Sequence, residues 1–220
     1  GDSLIPDNFF LIPKLILKSN RQLKSSTGFD AISQSIESLI SKKSNEKSIV
    51  FAKKSLELSL KNYLNFLRHP NQKNCTFMSI SANLSGKAIS ISKTTAPHAV
   101  SYPFTSHFGI NHGHAVSLTL NEFLKFNYFN LDRANCDFDL KKRFDLIFQL
   151  TNTKSIFELD NFLQQLKSKA KLEGNFRKLK IPRQAIENKI LGEINLQRLS
   201  NNPINLTIHD IKKILFEKFY

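Results

Sequence analysis

The sequence has little cysteine, no long apolar run and no amino-terminal targeting pattern. Its two cysteines, Cys75 and Cys136, are too few for a disulfide framework or a zinc cluster and fit the reducing cytoplasm. No apolar stretch approaches the ~20 residues that span a membrane, and the first residues lack the pattern of a secretory signal. We therefore expect a cytoplasmic globular chain of one domain, or one large lobe of a bigger protein.

Negative charge is also scarce, because 18 acidic side chains face 32 basic ones and the net charge is +14. Clustered lysine and arginine would indicate nucleic-acid binding, since they release counterions from a phosphate backbone. Here the basic residues are spread over apparent helix faces, and no zinc-finger, RNP or helix-turn-helix signature accompanies them. We therefore expect no nucleic-acid partner. The positive field instead favours a small anionic substrate or a dinucleotide.

Apolar residues recur at helical spacing over most of the chain, which predicts an all-α fold with little sheet. The exception is the apolar run 8–12, which lies between two prolines and is more typical of an entering strand. Thr27 or Ser26 is the expected N-cap of the first helix, and Thr207 that of the last. The predicted helices cover 27–41, 45–67, 76–92, 113–126, 139–150, 155–169, 182–191 and 207–219.

Four of the six histidines lie between residues 98 and 114. Neutral imidazole is a common ligand of divalent transition metals, so this cluster favours a metal site. A proline and a single glycine separate His98 from His112, so a loop can bring the two together. The spacing matches no short metal motif, and a helix corner whose histidines cap helices or meet solvent is an equal alternative.

The first predicted helix offers two oxygen ligands on one face. Asp30 and Gln34 are four residues apart, so their side chains project about one turn from each other. Taken alone, Asp30 would complement the helix dipole and Gln34 would be exposed. Taken with His98 and His112, they predict a site of one carboxylate, one amide and two imidazoles.

Two segments around these residues resemble the iron-containing (group III) alcohol dehydrogenases. Residues 27–37, TGFDAISQSIE, are similar to the family segment T-G-x-D-A-x-x-H-x-x-E. The stretch from His98-Ala99 to His112-Gly113 is similar to its H-A-x-x-H…P-H-G segment, with the same spacing between the histidines. The resemblance implies a multi-helix, bundle-like domain, the carboxy-terminal half of a two-domain dehydroquinate synthase-like fold.

The resemblance implies one divalent metal ion, iron(II) or zinc, bound by Asp30, His98 and His112. The family's fourth ligand, normally a histidine, falls on Gln34, whose amide oxygen is a weaker ligand than imidazole. The implied reaction is that of an NAD(P)-linked alcohol dehydrogenase. The metal polarises the oxygen of a small aldehyde as a Lewis acid, and NAD(P)H delivers hydride to the carbonyl carbon.

Two further residues are candidate catalytic groups. Tyr102 stands where the family often has another active-site histidine, and its hydroxyl can donate a hydrogen bond to a bound oxyanion. His114 is the other side chain that could orient the substrate oxygen, although a surface or supporting histidine is the more common case.

The segment 93–103, together with Gln34, looks most like the phosphonoacetaldehyde reductase-like branch of the family. Members of that branch reduce phosphonoacetaldehyde to 2-hydroxyethylphosphonate. Lys93 and Thr94 would then supply a cation and a hydroxyl donor to a phosphonate. The alternative is a helix C-terminus, at which Lys93 complements the dipole and Thr94 acts as a cap.

The family's amino-terminal nucleotide-binding domain has no counterpart here, because the seven glycines are scattered. We expect residues 1–20 to be the entry segment from that missing domain and 21–220 to be the helical metal-binding catalytic domain. Alone, the chain is expected to bind metal but not NAD(P) productively, and the full-length enzyme is expected to form a homo-oligomer. A second class remains open, a degenerate non-catalytic homologue whose helices serve oligomerisation or partner binding.

Overall fold

The computed structural model describes residues 8–220, and within them it forms twelve α-helices and no strand. The all-α prediction is confirmed. A single isolated antiparallel bridge joins Ala134 to Ile204. The helices are α1 (Pro13–Leu17), α2 (Arg21–Ile40), α3 (Glu46–Arg68), α4 (Gln72–Ser92), α5 (Ala96–Phe108), α6 (His112–Ser117), α7 (Leu120–Phe129), α8 (Leu140–Thr151), α9 (Ile156–Ala170), α10 (Arg183–Ala185), α11 (Leu196–Leu199) and α12 (Ile208–Glu217).

Asparagine side chains begin the three longest helices. Asn20, Asn45 and Asn71 each accept a hydrogen bond from the backbone N–H three residues on, which satisfies a donor that the first turn leaves free. The predicted N-cap of the first helix, Thr27 or Ser26, is therefore wrong, because both residues lie inside α2. The predicted cap of the last helix is confirmed, since Thr207 forms a capping box with Asp210.

Other boundaries also differ from the prediction. The run 8–12 forms no strand, and α1 follows it directly. The predicted helix 113–126 is divided into α6 and α7. The expected loop between His98 and His112 is mostly α5, because Pro97 fits the first helical turn and only residues 109–111 leave the helix. Of the expected entry segment 1–20, residues 1–7 lie outside the described residues.

Two apolar clusters form the core. One cluster joins α2, α3, α4, α8 and α9. In the other cluster, α5 packs against α12 and against the segment that contains Phe176 and Ile186. Helix α2 packs on α3, α4 and α6, while α6 also packs on α5. The junction of α2, α5 and α6 therefore lies between the two clusters.

A polar seam fixes α2 against its neighbours. The Ser35 and Ser55 hydroxyls are 2.8 Å apart, and the hydroxyls of Ser55 and Ser81 each donate to the other residue's carbonyl oxygen. All three serines are fully buried. Small hydroxyl side chains thus allow three long helices to pack closely while their polar atoms remain paired. Within residues 8–220, no helix has the length and apolar character needed to cross a bilayer.

Candidate metal centre

Three helices bring the predicted ligands to one point. Asp30 lies on α2, His98 in the first turn of α5, and His112 at the start of α6. One carboxylate oxygen of Asp30 and one ring nitrogen of each histidine all lie within 4.8 Å of one another. The fold therefore assembles in space three side chains that are distant in the sequence.

Gly113 lets α6 approach α2 at this point. A Cβ on residue 113 would lie 2.7 Å from the Cβ of Asp30 and would overlap the carbonyl oxygen of Ser26. The obstructing atoms belong mainly to backbone, which cannot swing aside. The glycine that follows His112 is therefore the reason that this imidazole can stand beside Asp30.

Two atoms of the trio are buried without a hydrogen-bond partner, namely Asp30 Oδ1 and His98 Nε2. They are 3.3 Å apart, and His112 Nε2 is 3.9 Å from the same oxygen. An unpaired buried polar atom is costly, so native structures rarely contain one without a reason. Two such atoms that face each other indicate a site for a shared cation.

A divalent transition metal fits this set of donors. Ligand atoms on a tetrahedral ion with bonds of ~2.1 Å lie about 3.4 Å apart, which is the scale of the separations from Oδ1. Two imidazoles and one carboxylate are the ligand set of many non-haem iron(II) sites and also suit zinc. Within the described part of the chain, no second such group of histidine, cysteine and acidic side chains is found.

Gln34 contacts the other oxygen of Asp30. Its amide nitrogen donates to Asp30 Oδ2 at 2.8 Å, and its amide oxygen accepts from the Ser85 hydroxyl at 2.8 Å. The structure therefore gives Gln34 the task of orienting the carboxylate. The amide oxygen that the sequence analysis assigns to the metal is hydrogen-bonded to α4.

Glu37 is a component of the site that the sequence analysis did not single out. Its fully buried carboxylate accepts hydrogen bonds from the backbone N–H and the hydroxyl of Thr95, both at 2.9 Å. Its second oxygen accepts from His98 Nδ1. Because Nδ1 is held by Glu37, Nε2 is the ring nitrogen that faces Asp30. Two signals were available, its match to the final glutamate of the family segment and its seven-residue spacing from Asp30, which places both acids on one helix face.

The two histidines have opposite shifts in pKa. Burial lowers the pKa of His98, but Glu37 and Asp30 outweigh it and raise that pKa to about 9. Burial also lowers the pKa of His112, against the opposing charge of Asp30. The negative charge of Glu37 and Asp30 that favours a proton on His98 would favour a metal cation at Nε2 in the same way.

Tyr102 lies beside His112, with the two ring centroids 5.5 Å apart. Burial raises the pKa of the Tyr102 hydroxyl, while Arg198 opposes the shift. The hydroxyl therefore keeps its proton at neutral pH and is a donor. The guanidinium carbon of Arg198 is 5.3 Å from the centroid of the Tyr102 ring. Arg198 could not be predicted from the sequence, because no motif connects it with residues about a hundred positions earlier.

The predicted substrate-binding pair is divided in the structure. Lys93 is exposed, ends α4 with a positive φ of 62°, and donates from its ammonium group to the carbonyl oxygen of Ser90 at 2.8 Å. This is the arrangement expected of a helix C-terminus. Thr94 is fully buried, and its hydroxyl accepts a hydrogen bond from Arg198 Nη1 at 2.8 Å.

His114, the second predicted catalytic group, is not part of the trio. Its Nε2 lies 2.7 Å from the carbonyl oxygen of Glu173, and its backbone N–H donates to the hydroxyl of Ser26. Burial lowers the pKa of His114, so the ring is neutral at pH 7 and Nε2 donates to the carbonyl. In the structure His114 therefore joins α6 to the segment after α9.

Comparison with known proteins identifies the family. The family model described as Fe-containing alcohol dehydrogenase family, C-terminal, matches residues 24–219. The chain belongs to this family, and its helical fold is that of the family's carboxy-terminal domain. The predicted resemblance is thereby confirmed.

The individual relatives share less than 30% sequence identity with this chain. The chain is 29% identical over 130 residues to a phosphonoacetaldehyde reductase of Streptomyces viridochromogenes, an alignment that covers 58% of this chain and 33% of that protein. It is 24% identical over 175 residues to a 4-hydroxybutyrate dehydrogenase of Clostridium kluyveri, covering 78% and 47% respectively. A solved sulfoacetaldehyde reductase of Bifidobacterium kashiwanohense in complex with NAD+ has the same fold, with a TM-score of 0.80, 23% identity, and coverage of 94% of this chain and 53% of that one. The alignments therefore span between a third and just over half of the length of these proteins.

Proposed function

We propose that this chain is the metal-binding catalytic domain of an iron-type, NAD(P)-linked aldehyde reductase. The observation that carries the proposal is the pair of unpartnered buried atoms, Asp30 Oδ1 and His98 Nε2, which face each other beside His112. Iron(II) is the proposed ion, with zinc as the second choice. When bound, the ion would supply Lewis acidity to the substrate oxygen.

The residues of the chain hold and orient the reactants. Asp30, His98 and His112 would bind the ion, and Glu37 keeps His98 in the tautomer whose Nε2 is a ligand. Gln34 fixes the carboxylate of Asp30. Tyr102, which is half-buried and protonated, would donate a hydrogen bond to the substrate oxygen. We assign His114 to support of α6, since both its hydrogen bonds are made within the protein.

We propose phosphonoacetaldehyde as the substrate, reduced to 2-hydroxyethylphosphonate. The support is the 29% identity to a protein that carries this activity in its name. The names of the two other relatives also indicate a short aldehyde or alcohol with an acidic end group, a sulfonate in one and a carboxylate in the other.

The two cysteines are free thiols, as a reducing compartment such as the cytoplasm leaves them.

Metal analysis tests the proposal most directly. We expect about one iron or zinc ion per wild-type chain, and loss of that ion in Asp30→Ala and in His98→Ala, because each change removes a ligand. The matched control is His209→Ala, which removes an exposed histidine of α12 and should leave the metal content unchanged. A wild-type chain that retains no metal after reconstitution would favour the degenerate homologue instead.

The isolated chain should not turn over aldehydes with NADH or NADPH, because the family's relatives contain about as much sequence again and the nicotinamide must be held against the metal site. A spectrophotometric assay with a range of aldehydes checks this. Rapid turnover by the chain alone would show that it carries its own dinucleotide site.

A further inference from the structure

Arg198 is held in place at the edge of the metal centre. It lies on the four-residue helix α11, and Asn195, the N-cap of that helix, donates its backbone N–H to the carbonyl oxygen of Ala99 on α5 at 3.1 Å. The Arg198 guanidinium in turn donates from Nη1 to the buried hydroxyl of Thr94. The start of α11 and the side chain of Arg198 are therefore both hydrogen-bonded to the segment that carries His98.

The guanidinium shares one aromatic neighbour with the metal ligands. Its carbon lies 5.3 Å from the centroid of the Tyr102 ring, and that ring lies 5.5 Å from the ring of His112. Tyr102, His112 and Arg198 are all partly exposed, whereas Glu37 and His98 are buried. Arg198 therefore belongs to the open rim of the site, where a substrate would enter.

The charge of Arg198 is not neutralised by a carboxylate. Among residues 8–220, no acidic side chain lies within 4 Å of its nitrogens. A guanidinium has five N–H donors arranged as a planar fork, and Thr94 receives one of them. The remaining donors can form two parallel hydrogen bonds with an oxyanion, which lysine cannot do with the same geometry.

We propose that Arg198 binds the terminal oxyanion of a short aldehyde substrate, and of its alcohol product, while the oxygen at the other end faces Asp30, His98 and His112. This inference rests on the proposed function and deepens it, because it names the residue that selects acid-bearing substrates. The chemical class is a short aldehyde that ends in a phosphonate, a sulfonate or a carboxylate. Thr94 is then a positioning residue, since its hydroxyl fixes the guanidinium and does not touch the substrate.

Titration calorimetry on the metal-loaded chain tests the proposal with the stable alcohol 2-hydroxyethylphosphonate as the probe. We expect saturable binding to wild type and a dissociation constant at least about tenfold higher in Arg198→Met, the size expected for loss of charge-assisted hydrogen bonds. Arg198→Lys should fall between the two, because it keeps the charge and loses the fork. Arms with 2-hydroxyethanesulfonate and 4-hydroxybutyrate show which end group binds best.

The matched control is Arg133→Met. Arg133 also donates from Nη1 to a side-chain oxygen, that of Asn130, and also lies over an aromatic ring, that of Phe126, but neither of these contacts involves a residue of the metal centre. This variant should bind the probe as wild type does. Metal content of Arg198→Met should equal that of wild type, which excludes loss of the metal site, while its melting temperature should fall slightly because the buried hydroxyl of Thr94 loses its hydrogen bond.

The outcomes separate this inference from the function on which it rests. The role of Arg198 is overturned if metal-loaded wild type binds none of the three probes, or if Arg198→Met binds them as tightly as wild type. Either result leaves the metal site intact. A wild-type chain that does not take up metal at all overturns the proposed function itself.

Discussion

At the scale of single residues, the contact between Glu37 and His98 determines which ring nitrogen of His98 faces Asp30. A fully buried carboxylate is costly unless its oxygens are hydrogen-bonded, and Glu37 accepts from Thr95 and from His98. These hydrogen bonds offset the cost of burying Glu37, and they fix the orientation and the tautomer of His98 before any ion binds. Supporting carboxylates of this kind also make an imidazole a stronger donor to a metal.

Glu37→Gln should weaken metal binding by about 10–100-fold, the range typical for loss of a group that supports a ligand. The amide keeps the shape but lacks the negative charge, and it presents only one acceptor oxygen to the four donors of Thr95 and His98. Competition with a calibrated chelator measures the effect. Glu57→Gln, an exposed glutamate on α3, is the control, and equal metal affinity in Glu37→Gln and wild type would contradict the role assigned to Glu37.

Sequence patterns indicated the three side chains that the fold brings together, but not the residues that contact them. Asp30, His98 and His112 could be predicted because short motifs surround them and each has a chemically distinctive side chain. Glu37 lies in the segment 27–37 but received no role, and Arg198 lies outside any motif. Their contacts are distant in the chain, with Thr95 and His98 58 and 61 residues from Glu37 and Thr94 104 residues from Arg198. Such pairings arise from helix packing, which local patterns do not encode.

At the scale of helices, the approach of α6 to α2 determines whether the trio forms. Gly113 is the position of closest contact, and a side chain there would meet the backbone of Ser26 and the Cβ of Asp30. The same contact is reinforced by the hydrogen bond from the His114 backbone to the Ser26 hydroxyl. The distance between His112 and Asp30 is therefore set by the absence of one methyl group.

Gly113→Ala should push α6 away from α2 and separate His112 from Asp30. We expect metal affinity to fall and the free energy of unfolding to decrease by roughly 1–3 kcal/mol, as for other overpacked interfaces. Chemical denaturation and chelator competition give the two values. Gly86→Ala is the control, because a Cβ there meets nothing within 4 Å and alanine favours a helix interior by up to about 1 kcal/mol. Unchanged metal affinity in Gly113→Ala would contradict the proposed spacing role.

The helices themselves were predictable where apolar periodicity is strong, as in α3, α8 and α9. The start of α2 was not, because its first turns are polar and the asparagine that caps it, Asn20, precedes a stretch without apolar rhythm. Helix α5 was not predicted, because its two prolines indicate a loop. Pro97 lies in the first turn, where no N–H is needed, so the usual reading of proline as a helix breaker fails there.

At the scale of the whole molecule, the excess of positive charge extends into the interior. Lys167 on α9 is buried, and its ammonium donates to the carbonyl oxygen of Ser117 at 3.2 Å. The charged groups around it come from α7, from α9 and from the residue after α12, namely Glu122, Lys125, Asp160 and Lys218. Burial lowers the pKa of Lys167 to about 8, although Glu122 opposes the shift.

This shift makes stability depend on pH in a defined window. Between about pH 8 and 10.5 the unfolded chain binds a proton at Lys167 that the folded chain has lost, so the free energy of unfolding should rise with pH there. Lys167→Met should be more stable than wild type at pH 7, by on the order of 1 kcal/mol or more. In this variant the free energy of unfolding should rise less steeply between pH 8 and 10.5. Denaturation at several pH values measures both effects. The exposed neighbour Lys169, changed to Met, is the control, and an unaltered slope in Lys167→Met would refute the assignment.

Helix α11 has a consequence for how proteins of this kind diversify. None of its four residues is fully buried, so the fold should tolerate substitutions there, and Arg198 lies at the edge of the candidate metal centre. With Arg198 as the proposed contact of the substrate's end group, a single exchange at this position would favour uncharged aldehydes while the proposed metal ligands stay unchanged.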